Sequence, residues 1–126
     1  MLIINLTQHA ASPKQLEAGV VEPRPEHKSL IREALTFDSA PSGVEIRERA
    51  TKLALLASTE AGPRAACAMI GGAPYLMGAL ESALRAADVK PIYAFSTRES
   101  VDQAQADGSI RKVAVFRHAG FVDPAA

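Results

Sequence analysis

Three apolar runs along the chain predict the strands of a buried sheet. The run Leu2–Leu6 opens the sequence, and Ala65–Ile70 is continuously apolar with no polar alternation. The run Lys90–Phe95 follows after one helix-length segment. Unbroken apolar runs are typical of parallel strands that are buried on both faces, so the pattern predicts a mainly parallel sheet.

Between these runs, apolar residues recur at helical spacing. Ser12-Pro13 is a helix start and Gly19 a stop. Ser42, three residues before Glu45, predicts a helix with a reciprocal capping box, and its apolar positions continue to Gly62-Pro63. A further helix is predicted after Pro74, with these residues on its apolar side: Leu76, Met77, Leu80, Ala83, Leu84 and Ala87.

The segment before the Ser42 helix is less regular. Residues 20–28 contain two prolines and mixed charge, which predicts an exposed connection with His27 at the surface. Residues 30–37 are compatible with a helical turn followed by a short strand, and the pattern leaves the type open.

The last third of the chain predicts a β-hairpin. Asp107-Gly108 is the turn signal, because a type I′ turn needs positive φ at both central residues. We place the hairpin from about Ser100 to Phe116, and we expect Ser96-Thr97-Arg98 to end the preceding strand.

These elements predict one α/β domain over residues 1–126, with a single Rossmann-like sheet, helices on both faces and a C-terminal β-hairpin. Three polar segments then meet at the carboxyl edge of the sheet, where open α/β sheets bind ligands. They are Thr7-Gln8-His9, Gly71-Gly72-Ala73 and Ser96-Thr97-Arg98. The glycine pair either admits a ligand close to the backbone or forms a plain tight turn.

Charge and composition narrow the partners. Fourteen basic residues balance fourteen acidic ones, which argues against a long nucleic acid as partner. Arg111, Lys112 and Arg117 form a local basic patch, which is either an anion site or a solvated strand face. The lone Cys67 lies in an apolar run, and no stretch approaches a membrane span, so we expect a cytoplasmic protein without a membrane partner.

Motifs for several chemistries are missing from the sequence. There is no paired-cysteine site, HExxH, nucleophile elbow or P-loop lysine, and the acidic residues are scattered. Hydroxyl, guanidinium and imidazole groups remain, and they suit a phosphate. We therefore expect a phosphate site that uses neither a metal nor a cofactor.

The carboxyl-terminal third resembles a known family. Its spaced residues are similar to the signature of small stand-alone CRISPR-associated ring nucleases, which are relatives of the CARF domain. The matching positions are Ile92-Tyr93-Ala94, Arg98-Glu99-Ser100-Val101, Asp107-Gly108-Ser109, Lys112, Val115-Phe116-Arg117-His118 and Phe121. Further towards the start, Leu6-Thr7-Gln8-His9 and Gly71-Gly72 match the family in layout.

This resemblance implies a CARF-like homodimer that binds a cyclic oligoadenylate across the subunit boundary. It implies a metal-independent phosphodiesterase that linearises the ring, most simply cyclic tetra-adenylate, and so switches off CRISPR type III antiviral signalling. The product would carry a 2′,3′-cyclic phosphate.

The same resemblance assigns roles to individual residues. Arg98 would clamp the phosphate, and His9 and His118 are the candidates for proton transfer. The remaining ligand-binding residues would be Thr7, Gln8, Gly71, Gly72, Ala73, Ser96, Thr97 and Arg117.

Two other functions stay open. Ala73-Pro74 stands where the family has a polar or acidic residue, and Val122-Asp123-Pro124 replaces its basic end. These departures favour a non-catalytic domain that senses or sequesters a cyclic nucleotide. A small dimeric interaction protein is the third possibility.

Overall fold

The three apolar runs lie side by side in the computed structural model, which describes residues 1–125. The predicted domain extends one residue further, to position 126, which lies outside the described residues. The elements in chain order are β1 (Leu2–Leu6), α1 (Pro13–Glu17), β2 (Val20–Val21), α2 (Pro25–Leu35), α3 (Gly43–Ala61), β3 (Ala66–Ile70), α4 (Pro74–Ala86), β4 (Val89–Ala104) and β5 (Ile110–Val122).

The sheet has five strands in the order β2-β1-β3-β4-β5. The pairs β1–β2, β1–β3 and β3–β4 are parallel, and β4–β5 is antiparallel. The predicted α/β class and mainly parallel sheet are therefore confirmed. All residues of β3 are buried, as expected for a strand with a neighbour on either side.

The long helices α2, α3 and α4 share one core with the sheet. Side chains of all three helices belong to one buried cluster, together with Leu6, Ala68 and Ile70 of the strands. Leu6 pairs with Ile70, and alternate residues of a strand share a face, so this cluster lies on one face of the sheet.

Helices on both faces were predicted, but α1 buries no residue. The second face therefore has no comparable helical core within the described residues. None of the described helices is long and apolar enough to cross a membrane.

The helix starts at Ser12 and Ser42 follow the predicted caps. Ser12 forms a complete capping box with Gln15. The Ser42 side chain accepts a hydrogen bond from the Glu45 backbone N–H, but the Glu45 carboxylate pairs with Arg49 instead of the cap backbone. The predicted reciprocal box at Ser42 is thus half formed, because a guanidinium competes for the glutamate.

The predicted exposed connection at residues 20–28 is wrong. Val20 is buried in β2 opposite Ile3, and Pro25 begins α2 at a position where its missing N–H costs no hydrogen bond. His27 is half-buried rather than at the surface, because its Nδ1 lies 2.5 Å from the Glu60 carboxylate on α3. Strand β2 and the start of α2 contain few apolar residues, so hydrophobic periodicity does not distinguish them from a connecting loop.

The predicted hairpin is longer than expected. Strand β4 does not end at Ser96-Thr97-Arg98: it pairs with β3 only as far as Tyr93 and continues to Ala104 with β5 alone. We call residues 96–104 and 110–118 the ribbon. A bulge separates it from the sheet, because Phe95 pairs with Gly120 but Ser96 pairs with His118, which leaves Ala119 unpaired.

The turn of the ribbon is not the predicted type I′. Only Gly108 has positive φ, at 87°, whereas Asp107 does not. The Asp107 carboxylate accepts hydrogen bonds from the backbone N–H and the hydroxyl of Ser109. This local bond favours a three-residue loop with glycine in the left-handed position over a two-residue turn.

The cap at Ser42 gives a test of this helix start. We expect Ser42→Ala to lower the free energy of unfolding by about 1 kcal/mol, because an N–H in the first turn loses its partner. Ser39→Ala, at an exposed position before the helix, should change it by less than about 0.5 kcal/mol. Urea unfolding measures both, and equal values for the two variants would contradict the cap.

Candidate functional site

A cavity of about 690 Å³ opens at the carboxyl edge of the parallel strands. We call it the carboxyl-edge cavity. Its walls come from the segment after β1 and the start of α1, the end of α2, the end of β3 and the turn after it, the middle of β4 and one residue of β5. The lining residues are Thr7, Gln8, His9, Ala10, Ser12, Gln15, Leu35, Met69, Ile70, Gly71, Gly72, Ala73, Tyr93, Ala94, Ser96 and Phe116.

The segment Thr7–His9 is held by one buried side chain. Asn5 is only 3% exposed, and its amide donates to the His9 carbonyl over 2.8 Å. Its carbonyl oxygen accepts from the Thr7 hydroxyl over 2.7 Å and from the Thr7 N–H over 3.1 Å. The loop is therefore fixed before any ligand arrives, which is the condition for a pre-organised site.

Asn5 also connects this loop to α2. Its amide donates to Glu22 over 2.5 Å, and Lys28 donates to the other carboxylate oxygen of Glu22 over 2.9 Å. Burial acts to raise the pKa of Glu22, but the hydrogen bonds from Asn5 and Lys28 outweigh it and lower the pKa below its usual value. Glu22 is thus an ionised link between the loop and the helix.

The turn after β3 brings the amino end of α4 to the cavity. Gly72 has φ of 147°, and a Cβ at this position would lie within 3.7 Å of both Met77 and Leu35. Ala73 is the N-cap residue and supplies no side-chain cap. The first turn of α4 offers few backbone N–H groups to an anion, because Pro74 has none and the Leu76 N–H donates to the Ala73 carbonyl over 3.0 Å.

Tyr93 contributes a phenol to the cavity wall, and its surroundings do not favour a role as a base. Its hydroxyl donates to Glu81 over 2.6 Å. Burial and this hydrogen bond raise the pKa of Tyr93 to about 12. The phenol stays protonated at neutral pH, and Tyr93 shapes the cavity without acting as a base.

The ribbon presents one of its faces to the cavity. Ser96 and Phe116 line the cavity, and Arg98 pairs directly with Phe116 in the register. Paired residues of an antiparallel ribbon share a face, so Ser96, Arg98 and Phe116 lie on the same face. Arg98 is exposed and does not line the cavity itself.

Two predicted residues lie on the opposite face of the ribbon. Thr97 pairs with Arg117, and strand alternation points both away from the side of Ser96. The Arg117 guanidinium is 2.5 Å from the Glu99 carboxylate. Neither residue lines the carboxyl-edge cavity.

The two predicted histidines have different surroundings. His9 is exposed in the cavity wall. His118 pairs with Ser96 but lies outside the lining, with its ring 4.7 Å from the Phe121 ring between centroids. Its Nδ1 is buried and has no hydrogen-bond partner among residues 1–125.

Seven predicted residues are thus brought together in this cavity and four are not. The seven are Thr7, Gln8, His9, Gly71, Gly72, Ala73 and Ser96, and the four are Thr97, Arg98, Arg117 and His118. In the described part of the chain, no group of three or more His, Cys, Asp or Glu side chains is arranged to hold a metal ion.

A second cavity of about 580 Å³ lies at the opposite, amino edge of the sheet. Two of its cations already have acidic partners: Arg85 pairs with Glu81 and Lys90 with Asp123. Arg64 donates to the carbonyls at the end of α3. This second cavity therefore offers less free positive charge than its size suggests.

Sequence reasoning missed two residues of the site. Asn5 is a polar residue inside an apolar strand run, and that irregularity is the signal that a buried hydrogen-bond network surrounds it. Phe116 is 74% exposed, so burial in a hydrophobic core does not account for an aromatic side chain at this position.

A family model described as the Uncharacterized protein MJ1673 family matches residues 1–122. No curated protein and no solved structure matches the chain significantly. The description of the family names no activity, so function must be argued from the site.

The hydrogen bonds of Asn5 predict a measurable effect on stability. We expect Asn5→Ala to lower the free energy of unfolding by about 1–3 kcal/mol, because Thr7, the His9 carbonyl and Glu22 each lose hydrogen bonds to a buried side chain. Gln103→Ala on the exposed ribbon is the control and should change it by less than about 0.5 kcal/mol. An Asn5 variant as stable as the control would contradict the network.

The lowered pKa of Glu22 predicts a pH dependence. A carboxyl whose pKa is lower in the folded state stabilises the fold above its unfolded value of 4.5, and this contribution is lost as the pH falls through the folded value. The stability difference between the wild type and Glu22→Gln should therefore narrow below about pH 4.5. Urea unfolding from pH 7 to pH 3 measures it, with Glu17→Gln at the end of α1 as control. A difference that stays constant over this range would overturn the assignment.

Proposed function

The chain belongs to the uncharacterized MJ1673 family, and we propose that it is a metal-independent ring nuclease for cyclic oligoadenylates. The proposal includes a CARF-like, Rossmann-like fold and a role in ending CRISPR type III signalling. The carboxyl-edge cavity would be the binding site, and cyclic tetra-adenylate the first ligand to test.

One observation carries the proposal. Ser96, Arg98 and Phe116 share the cavity face of the ribbon, so a hydroxyl, a guanidinium and an exposed aromatic ring stand together at the rim. Aromatic side chains stack on nucleic-acid bases, and a planar guanidinium grips two phosphate oxygens. This set matches the base, phosphate and ribose of one nucleotide.

The cavity supplies further groups for the ligand backbone. The amino end of α4 behind Gly71-Gly72 would place the positive end of the helix dipole towards a phosphate, and the small residues of this turn allow close approach. Gln8 extends from the loop held by Asn5, although its amide already donates to the Thr36 hydroxyl over 3.2 Å. The helix dipole and a polar loop thus lie on two sides of the cavity.

The chemistry would be an internal transfer within the ring. A ribose 2′-oxygen attacks its own 3′-phosphate, the O2′–P bond forms, and the P–O5′ bond breaks. The 2′-hydroxyl proton leaves to a base, and the 5′-oxygen gains a proton. Arg98 at the rim would neutralise the phosphorane, and His9 would move a proton, since its exposed ring is the imidazole in the cavity wall.

The symmetry of the ligand supports a homodimer. A cyclic tetra-adenylate has rotational symmetry, so a two-fold dimer can present the same groups to opposite phosphates. The ligand would lie across the subunit boundary, where Arg98 and His118 on the cavity face of the ribbon would reach it, whereas Thr97 and Arg117 lie on the opposite face.

A non-catalytic cyclic-nucleotide sensor is the second candidate. Among residues 1–125, the cavity wall has no Lys, Arg, Asp or Glu side chain, and Arg98 lies outside it. A site without a charged residue at its centre can bind a ligand and still lack transition-state stabilisation. In that case the same cavity would retain the ring intact.

Turnover is the direct test of the enzyme. Purified protein with cyclic tetra-adenylate in excess EDTA should yield linear adenylates that end in a 2′,3′-cyclic phosphate, resolved by mass spectrometry. We expect Arg98→Ala to reduce the rate by about 100-fold or more, because charge on the phosphorane loses its partner. Arg47→Ala, on an exposed part of α3, is the matched control. An intact ring with tight binding would favour the sensor, and no binding would exclude both.

Phe116 is the test of base recognition. We expect Phe116→Ala to weaken ligand binding about 5- to 150-fold, since one base loses its stacking partner, while Phe116→Tyr retains the affinity. Val115→Ala on the other face of the ribbon is the control. Calorimetric titration measures all three, and equal losses at positions 115 and 116 would argue against stacking.

A further inference from the structure

The ribbon leaves one edge of β4 without a partner. Strand β3 stops opposite Tyr93, so residues 94–104 of β4 pair with β5 on one side alone within residues 1–125. A two-stranded ribbon is at most marginally stable in water by itself. A free strand edge of this length is also a template for pairing with another chain.

Two of the three charges along this edge have no ion-pair partner within residues 1–125. Arg98 and Asp102 are both exposed, lie on the cavity face of the ribbon and form no ion pair among the described residues. The other free edge, that of β5, carries Arg111, Lys112 and Arg117 and no acidic residue. Like charges protect an edge against pairing, so β4 is the edge left open.

We propose that the β4 edges of two copies pair antiparallel about a two-fold axis at Ser100. Ser100 then faces the partner's Ser100, and Arg98 faces the partner's Asp102. The two-fold axis repeats this contact, so the partner's Arg98 faces Asp102 and a second ion pair forms in the same register. The occupant of the free edge is therefore a second copy of this chain.

The register follows from symmetry and charge. The two-fold axis that relates two antiparallel copies of one strand stands perpendicular to the sheet. Rotation about it does not exchange the two faces of the sheet, so one residue must pair directly with its own copy at the axis. Centring at Glu99 or Asp102 opposes two like charges, and so does centring at Arg98. Centring at Val101 opposes no charged pair of either sign. Ser100 is the centre that brings opposite charges together.

The resulting sheet has four strands and a consistent row of charges. Lys112 pairs with Asp102 inside each ribbon, and Phe116 pairs with Arg98. Across the dimer the row becomes Phe116, Arg98, the partner's Asp102 and the partner's Lys112. Each Asp102 then lies between two cations, whereas in one copy it has only Lys112 across the strand pair.

This pairing also connects each ribbon with the cavity of the other copy. In this register Ser96 faces the partner's Ala104, so the tip of each ribbon ends beside the Gly71-Gly72 turn of its partner. A guanidinium has five N–H donors, and a carboxylate uses two, which leaves donors on Arg98 for a phosphate. That last consequence rests on the proposed function; the pairing itself does not.

Cysteine cross-linking tests the register in the full-length chain. In a Cys67→Ala background, Ser100→Cys should form an intermolecular disulfide under mild oxidation, because directly opposed strand residues have Cα atoms about 4.5–5.5 Å apart. Ala114→Cys is the matched control, since Ala114 pairs with Ser100 on the same face but belongs to β5. We expect cross-linking of most of the Ser100→Cys protein and little of the control.

Charge exchange tests the ion pairs. Sedimentation velocity should show Arg98→Asp to weaken dimerisation about tenfold or more, and the double variant Arg98→Asp/Asp102→Arg to restore it to within about threefold. A monomeric wild type, a dimer without the Ser100→Cys link, or equal linking at position 114 would overturn the proposal. A cross-linked dimer that leaves cyclic oligoadenylates intact keeps the pairing and removes the nuclease. Ring opening by a monomeric protein would support the nuclease and overturn the pairing.

Discussion

The structure depends on strand β4, which first pairs with β3 inside the sheet and then continues with β5 as the ribbon. From Val89 to Tyr93 it pairs with β3, is largely buried, and completes the parallel core. Beyond Tyr93 it pairs with β5 alone, and the following residues are exposed. One continuous strand thus fixes the position of the ribbon relative to the carboxyl edge. Its pairing with β5 is interrupted at one place, the bulge between Phe95 and Ser96.

The other wall of the cavity is fixed by a different interaction. Asn5 is a buried polar group whose amide and carbonyl both have partners, and these partners are Thr7, His9 and Glu22. A buried amide without them would cost free energy, so the fold and the loop conformation stabilise each other. The site therefore combines a rigid polar loop with a ribbon whose rim residues are free to meet a ligand or a second chain.

Much of the fold could be predicted from the sequence. The strands Leu2–Leu6 and Ala66–Ile70 and the helix after Ser42 follow from apolar runs and caps, which are local signals. The β2 strand and α2 were missed because their prolines and charges dominate the pattern, while the contacts of Val20 and Ile31 that bury them are distant in sequence. The end of β4 was misplaced because Phe95 to Ser100 of this strand are all exposed and show no apolar alternation.

The candidate site was predicted in its three segments but not in its geometry. Thr7, Gly71 and Ser96 meet at one cavity, as strand topology requires. Thr97 and Arg117 turn away because side chains alternate along a strand, and the register that decides this depends on the bulge at Ala119. Phe116 enters the site by the same register, and no local signal in the sequence reveals it.

Binding at the carboxyl-edge cavity is the central claim, and amide chemical shifts test it most directly. Cyclic tetra-adenylate titrated into ¹⁵N-labelled His9→Ala protein, which lacks the proposed proton-transfer group and keeps Arg98, would report the contact surface. We expect the largest shifts at Gly71, Gly72, Ser96 and Phe116, with few around the amino-edge cavity at Arg64 and Lys90. Shifts confined to the amino edge, or none at saturating ligand for wild type and variant alike, would contradict it.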